Sequence, residues 1–193
     1  MTIFEEITLD TFVNHNVVKK YFILLSLLIS LSCPAQNYTE HWSGTQFKAG
    51  SSLSFNFDYT GTKFNNYDYE DIVAIDPDFP KDLIDAELKY KNTFFKCSLK
   101  DKGFKDRNIN VKIVPNDPDY IIVIHPYDFK RKGDFIGEMT IVDKAGNKVA
   151  YFENINGFGG TFGSLANLIG DAYKQHAEIM CKILGDAMRE GKL

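Results

Sequence analysis

The chain has little of what most recognisable sites are built from. It carries three cysteines and four histidines in 193 residues. No two cysteines stand as CxxC, which excludes a zinc ribbon, and no two histidines share a metal-ligand spacing. Basic residues are outnumbered, 22 Lys and Arg against 26 Asp and Glu. Such a balance leaves no electrostatic footprint for nucleic acid. The basic clusters KDKGFKDR (residues 100–107) and KRK (residues 130–132) are short, and they read as solvated surface. No serine sits in a GxSxG elbow, and no internal repeat is visible. No apolar run approaches the roughly 20 residues that a membrane-spanning helix requires.

One apolar run is nevertheless conspicuous. Residues 19–36 read KKYFILLSLLISLSCPAQ: two lysines, an apolar middle, then small and helix-breaking residues. That is the grammar of a cleavable secretory signal. Residues 1–18 precede it and carry Glu5, Glu6 and Asp10, the wrong sign for a signal's leading end. They read as an upstream extension, as from true initiation near Val18, with a genuine long leading region as the alternative. Cleavage is expected after Ala35, leaving Gln36 as the first mature residue. The rival is a lipoprotein site with Cys33 acylated, but Leu31 falls one place too late for it. Membrane attachment is expected only through that lipidation.

Beyond the signal, residues 36–52 are polar, without periodicity, and are expected to be a linker. Residues 53–193 are expected to form one domain, a length that fits a single core. The 16 Phe and 10 Tyr of the whole chain support a substantial interior. Leu53, Phe55, Phe57 and Tyr59 alternate with polar residues, as on a half-buried strand. Residues 64–78 fit a helical turn or a short strand, closed by Asp76-Pro77-Asp78-Phe79-Pro80. Leu83, Ala86, Tyr90, Phe94 and Cys97 then recur at helical spacing over residues 81–100. Four strands follow: residues 109–113, residues 120–124 (YIIVI, apolar on both faces like a strand covered on two sides), residues 135–142, and residues 149–152 after the KAGN hairpin turn. A wide apolar stripe then marks a long helix over residues 164–189, capped by Thr161 or Ser164 and followed by Gly191. The expected fold is α+β: a two-layer α/β sandwich, with a mixed, mostly antiparallel sheet of about five strands and two main helices packed on it.

Candidate chemistry is sparse. The sharpest feature is NGFGGTFG before the last helix, where Gly157, Gly159, Gly160, Thr161, Gly163 and Ser164 form a candidate anion loop. It stands one step off GxGxxG, no P-loop lysine follows, and no later strand closes a dinucleotide unit. A flexible entry that lets the helix pack closely on the sheet is the favoured reading. Asp117, Asp119, Asp128 and Asp134 flank one strand but miss the register of a calcium loop. His125 and His176 read as structural. Cys97 and Cys181 lie on expected helices among apolar neighbours, where buried unpaired thiols are the commoner state, although an oxidising compartment permits a bridge. No cofactor and no metal are expected.

The segments FNFDYT (residues 55–60), DYIIVI (119–124), GEMTIVD (137–143) and DAYKQHAEI (171–179) give the chain a resemblance. It resembles a family of bacterial envelope proteins, and in outline it is similar to the small α/β domains of curli-secretion-type and TolB amino-terminal-type proteins. The resemblance implies a periplasmic, outer-membrane-associated or secreted location, and it transfers no catalytic residue. The function expected is therefore non-enzymatic binding or assembly in the envelope, with another envelope protein or a second copy as partner. The alternative is a small hydrolase or an anion- or nucleotide-binding protein that uses the glycine loop with Asp128 or Asp134.

Overall fold

A computed structural model describes residues 38–114 and 116–193; Cys33, Ala35, Gln36 and the whole expected signal lie outside them. Seven strands form one sheet: β1 (Thr39–Trp42), β2 (Ser52–Phe57), β3 (Lys63–Phe64), β4 (Asn110–Val111), β5 (Tyr120–Phe129), β6 (Phe135–Asp143) and β7 (Lys148–Gly157). Among the described residues there are also four helices: α1 (Tyr69–Ile75), α2 (Phe79–Ser98), α3 (Lys102–Asp106) and α4 (Leu165–Glu190). The strand order is β1-β7-β6-β5-β2-β4, and β3 pairs with β5.

The class is α+β, but the sheet corrects the expectation in two ways. It has seven strands rather than about five, and it is mixed rather than mostly antiparallel. β5, β6, β7 and β1 form an antiparallel run, whereas β2, β3 and β4 enter by parallel pairings. The physical reason is α2. A helix between two strands carries the chain back to the end where the first strand began, so the next strand runs parallel to it. The described part of the expected linker is corrected as well. Residues 39–42 pair with β7, and Phe47 is buried, stacked on Tyr120 at 4.2 Å between ring centroids.

All four helices count, but only α2 and α4 are long. They lie side by side over one face of the sheet. Phe55 meets Tyr90 and Phe94 of α2, and Phe135 meets Tyr173 and His176 of α4. Ile122, Ile124, Met139, Ile141 and Phe152 complete a closed apolar floor. Burying each such side chain contributes about 1.5–3 kcal/mol. On the long helix Leu168, Ala172 and Met180 are buried, while Ile179 and Ile183 are only half-buried. Ser164 accepts the Asn167 N–H at the start of α4, and Gly191 ends it at φ 76°, a left-handed cap that favours glycine.

Among the described residues no helix covers the opposite face of the sheet. Along β5, Tyr120, Ile122 and Ile124 are buried, while Ile121, Val123 and His125 are half-buried and Tyr127 is exposed. The expectation of a strand covered on two sides is corrected accordingly: β-branched residues simply suit a pleated, half-solvated surface.

The thiol expectation is also corrected. Cys97 on α2 and Cys181 on α4 form a disulfide, with Cα atoms 6.3 Å apart. Each occupies the stripe its helix turns toward the other, so helix packing alone brings the pair together.

Candidate functional site

The glycine-rich segment is a packing device. A Cβ on Gly157 would stand 2.5 Å from the Phe135 ring, and one on Gly159 only 1.7 Å from the Lys132 carbonyl oxygen. One on Gly160 would stand 2.3 Å from the Asp171 carboxylate, and Gly163 holds φ 133° beside Asn167. Two of its amides are already engaged. Phe158 N–H donates to Gln175 Oε1 at 3.0 Å, and Gly159 N–H donates to Asp134 Oδ1 at 2.7 Å. Ser164 Oγ serves the helix cap, and Thr161 is exposed. An incoming anion would meet the carboxylates of Asp134 and Asp171 beside Gly159 and Gly160, which oppose the pull of a helix N-terminus on negative charge.

The four aspartates do not gather. Asp117 and Asp119 face Lys144, at 3.0 and 3.5 Å, and Asp119 also accepts from Ser52 at 2.8 and 2.9 Å. Asp128 pairs with Lys130, and Asp134 holds the glycine loop. Among the described residues no group of three or more His, Cys, Asp or Glu is placed to hold a metal ion. His176 is fully buried against Tyr90 and Phe135, and neither ring nitrogen has a hydrogen-bond partner. Burial pushes its pKa down to about 3, which keeps it neutral.

A polar cluster that sequence reasoning missed stands on the open sheet face. Glu138 of β6 lies opposite His125 of β5 and accepts from Tyr127 Oη at 2.5 Å and Tyr151 Oη at 2.6 Å. His125 Nδ1 is 3.5 Å from Glu138, and Nε2 is 3.0 Å from the Thr60 carbonyl oxygen. Partial burial alone would raise the Glu138 carboxyl, but the two tyrosine donors and His125 outweigh it and hold the carboxyl below its usual range. The bond to Glu138, with partial burial, pushes Tyr151 up to about 12; burial and the same carboxylate raise Tyr127. At neutral pH the cluster is therefore one carboxylate bracketed by protonated phenols, with no free nucleophile. Two-residue alternation put His125, Tyr127 and Glu138 on one face. The neighbourhood of Tyr151 depends on bulges in the β6–β7 pairing, which carry no sequence signal.

A cleft of about 500 Å³ lies among Tyr59, Thr62, Asp68, Tyr69, Leu83 and Glu87. That size suits a small molecule. Burial pushes the Glu87 carboxyl up, against the pull of Lys91 at 3.6 Å. Tyr59 Oη and Tyr173 Oη, 3.1 Å apart, satisfy one another behind it. Asp68 is taken by Lys63 at 2.5 Å. Glu87 also shares a hydrogen bond with Tyr59, so the cleft wall carries a carboxyl and a phenol side by side.

No family model matches the chain, and no curated protein matches it. Solved structures with a distant similarity to it include two of PelC. The PelC dodecamer from Paraburkholderia phytofirmans in space group P6 is 11% identical, with a TM-score of 0.42 over 74% of this chain and 96% of that one. A leucine-to-methionine variant of the PelC dodecamer from the same organism, in space group C2, is 10% identical, with a TM-score of 0.40 over 74% and 94%. Similarity this shallow carries no inference about function or assembly.

Proposed function

We propose that this chain is exported to the cell envelope, loses its leading segment after Ala35, and acts there by binding or assembly rather than by catalysis. The observation that carries the reading is the Cys97–Cys181 bridge. Disulfides persist in oxidising compartments and are rare where glutathione and thioredoxin keep thiols reduced. That supports export independently of the Lys19-to-Ala35 pattern, because the two signals lie in different parts of the chain. The binding half of the reading rests on a full core, a cleft of small-molecule size, and polar groups that satisfy one another instead of converging on a reacting atom. The partner is another envelope component or a second copy. Among the described residues no helix is long and apolar enough to cross a membrane, and Cys33 is where lipidation would anchor the protein.

Intact mass spectrometry on protein from its native host tests this. The expected species begins at Gln36 and resists alkylation until reduced. A species that retains Met1–Ala35 with both thiols alkylatable overturns export. A diacylglyceryl mass on Cys33 keeps export and replaces the free form with a lipoprotein.

A further inference from the structure

The seam between α2 and α4 opens on the solvent side into a groove of about 400 Å³, lined by Thr93, Lys96, Cys97, Lys100, Lys174, Glu178 and Lys182. Four ammonium groups face a single carboxylate there, in a chain whose net charge is −4. Among the described residues none of the four lysines lies within 4.0 Å of a carboxylate oxygen. All four are exposed. The seam is closed at either end by an ion pair, Lys89 with Asp171 at 2.5 Å and Arg189 with Asp101 at 3.3 Å, and the disulfide forms part of its floor. Lys96 and Lys100 stand at the end of α2, where cations suit the helix dipole. Lys174 and Lys182 lie in the middle of α4, where no dipole explains them.

We infer that this groove binds a linear polyanion, a chain of carboxylate or phosphate groups laid along the α2–α4 seam. Lys174 and Lys182 are eight residues apart on one helix face, about 12 Å at 1.5 Å per residue. With Lys96 and Lys100 on the opposite wall, they make two rows of cations flanking a channel. A planar membrane is the poorer fit, because interfacial binding uses apolar side chains beside the basic ones and only the disulfide among the lining is apolar. Nucleic acid is the poorer fit too, since no aromatic lines the groove to stack a base. The inference gives a ligand class to the binding role proposed above and rests on that role. Protein that retains Met1–Ala35 yet binds polymer would defeat export and leave the groove standing.

The test is fluorescence anisotropy at low salt with protein of residues 36–193. The probes are labelled inorganic polyphosphate and polygalacturonate, with single-stranded DNA and phosphatidylglycerol vesicles as competing occupants. Both polymers should bind, with affinity falling as salt rises. The variant K96Q/K100Q/K174Q/K182Q should lose about tenfold or more, and its log–log salt slope should flatten by about 3, near the 0.7–0.9 expected per lost ion contact. The charge-matched variant K48Q/K81Q/K105Q/K132Q should stay within about twofold, because polyanion contacts act locally. Lys174→Gln and Lys182→Gln alone should each weaken binding, and these single surface changes guard against a folding failure in the quadruple variant. Equal losses in the two quadruple variants, no binding to either polymer, or tighter binding to DNA or vesicles would overturn the inference.

Discussion

Opening the Cys97–Cys181 bridge is the most informative single perturbation of this molecule. The bridge joins positions 84 residues apart. Holding so long a loop closed removes entropy from the unfolded chain worth about 4–5 kcal/mol in the loop-closure treatment, and natural bridges typically contribute about 2–5 kcal/mol. Domains of this size are stable by about 5–15 kcal/mol, so losing the bridge removes a large share. With about 2–4 °C per kcal/mol for a chain of this length, the double variant C97A/C181A should melt about 10–15 °C lower. Calorimetry or circular dichroism on residues 36–193 reads the shift. Additivity separates a bond from mere packing. If the thiols were independent, each Cys→Ala would remove its own small contact and the two losses would add. If they are bonded, C97A alone already abolishes the bond, so the double variant should fall little further than either single one. A reductant should likewise bring the wild type down to the double variant's midpoint. Additive losses of about 1 kcal/mol each, with a wild type indifferent to reductant, would refute the bridge and remove the main support for export.

Two further outcomes follow from buried groups. His176 is neutral in the folded protein, with its pKa lowered to about 3 against about 6.5 unfolded; the unfolded chain takes up a proton first, so stability is full above about 6.5 and is lost as pH falls toward 3, by about 2 kcal/mol at pH 5. His176→Leu should flatten that acid limb in denaturant titrations at pH 7 and pH 5 without lowering stability at pH 7, because both ring nitrogens lack partners; an unchanged pH dependence would clear His176 of the effect. Gly159→Ala should destabilise by about 1–3 kcal/mol, the usual result of forcing an atom into a filled site, since its Cβ meets the Lys132 carbonyl oxygen at 1.7 Å; an unshifted melting temperature would show that the loop is not held by close packing.

The two long helices and the β5–β6–β7 meander were legible because their apolar periods are long and clean. The expected 81–100 and 164–189 became Phe79–Ser98 and Leu165–Glu190. β1 was not legible, because its first three residues are exposed, and what makes it a strand is hydrogen bonding to β7. Residues 109–113 alternate convincingly, yet only Asn110 and Val111 pair with β2. Alternation marks a face, but it does not guarantee a neighbouring edge. The parallel half of the sheet was lost for a related reason. Strand direction is set by the crossover through α2, not by any residue in the strands. Among the site residues, Glu138 comes beside His125 only through the β5–β6 register, and the lysine groove needs the helix pairing, which joins residue 96 to residue 182 across the fold.

The groove and the bridge belong to one physical problem. Four ammonium groups along a helix seam repel one another, and like charges at that density weaken the contact they border. Lysines scattered over the rest of the surface would give equal solubility without that penalty. Here the seam is held instead by the Lys89–Asp171 and Arg189–Asp101 pairs and by a covalent bond between its two walls. Exposed ion pairs supply only about 0–1 kcal/mol each, so beside the buried packing of Tyr90 on Tyr173 and His176 the disulfide is a far stronger restraint than either pair. It stabilises the two helices at the place where the charges weaken them, and it keeps the two cationic rows at a fixed separation. A channel of fixed width loses less freedom when a chain settles into it than one that must first be drawn together. The bridge therefore bears on binding as well as on stability, which ties the compartment in which it persists to the ligand the groove can hold.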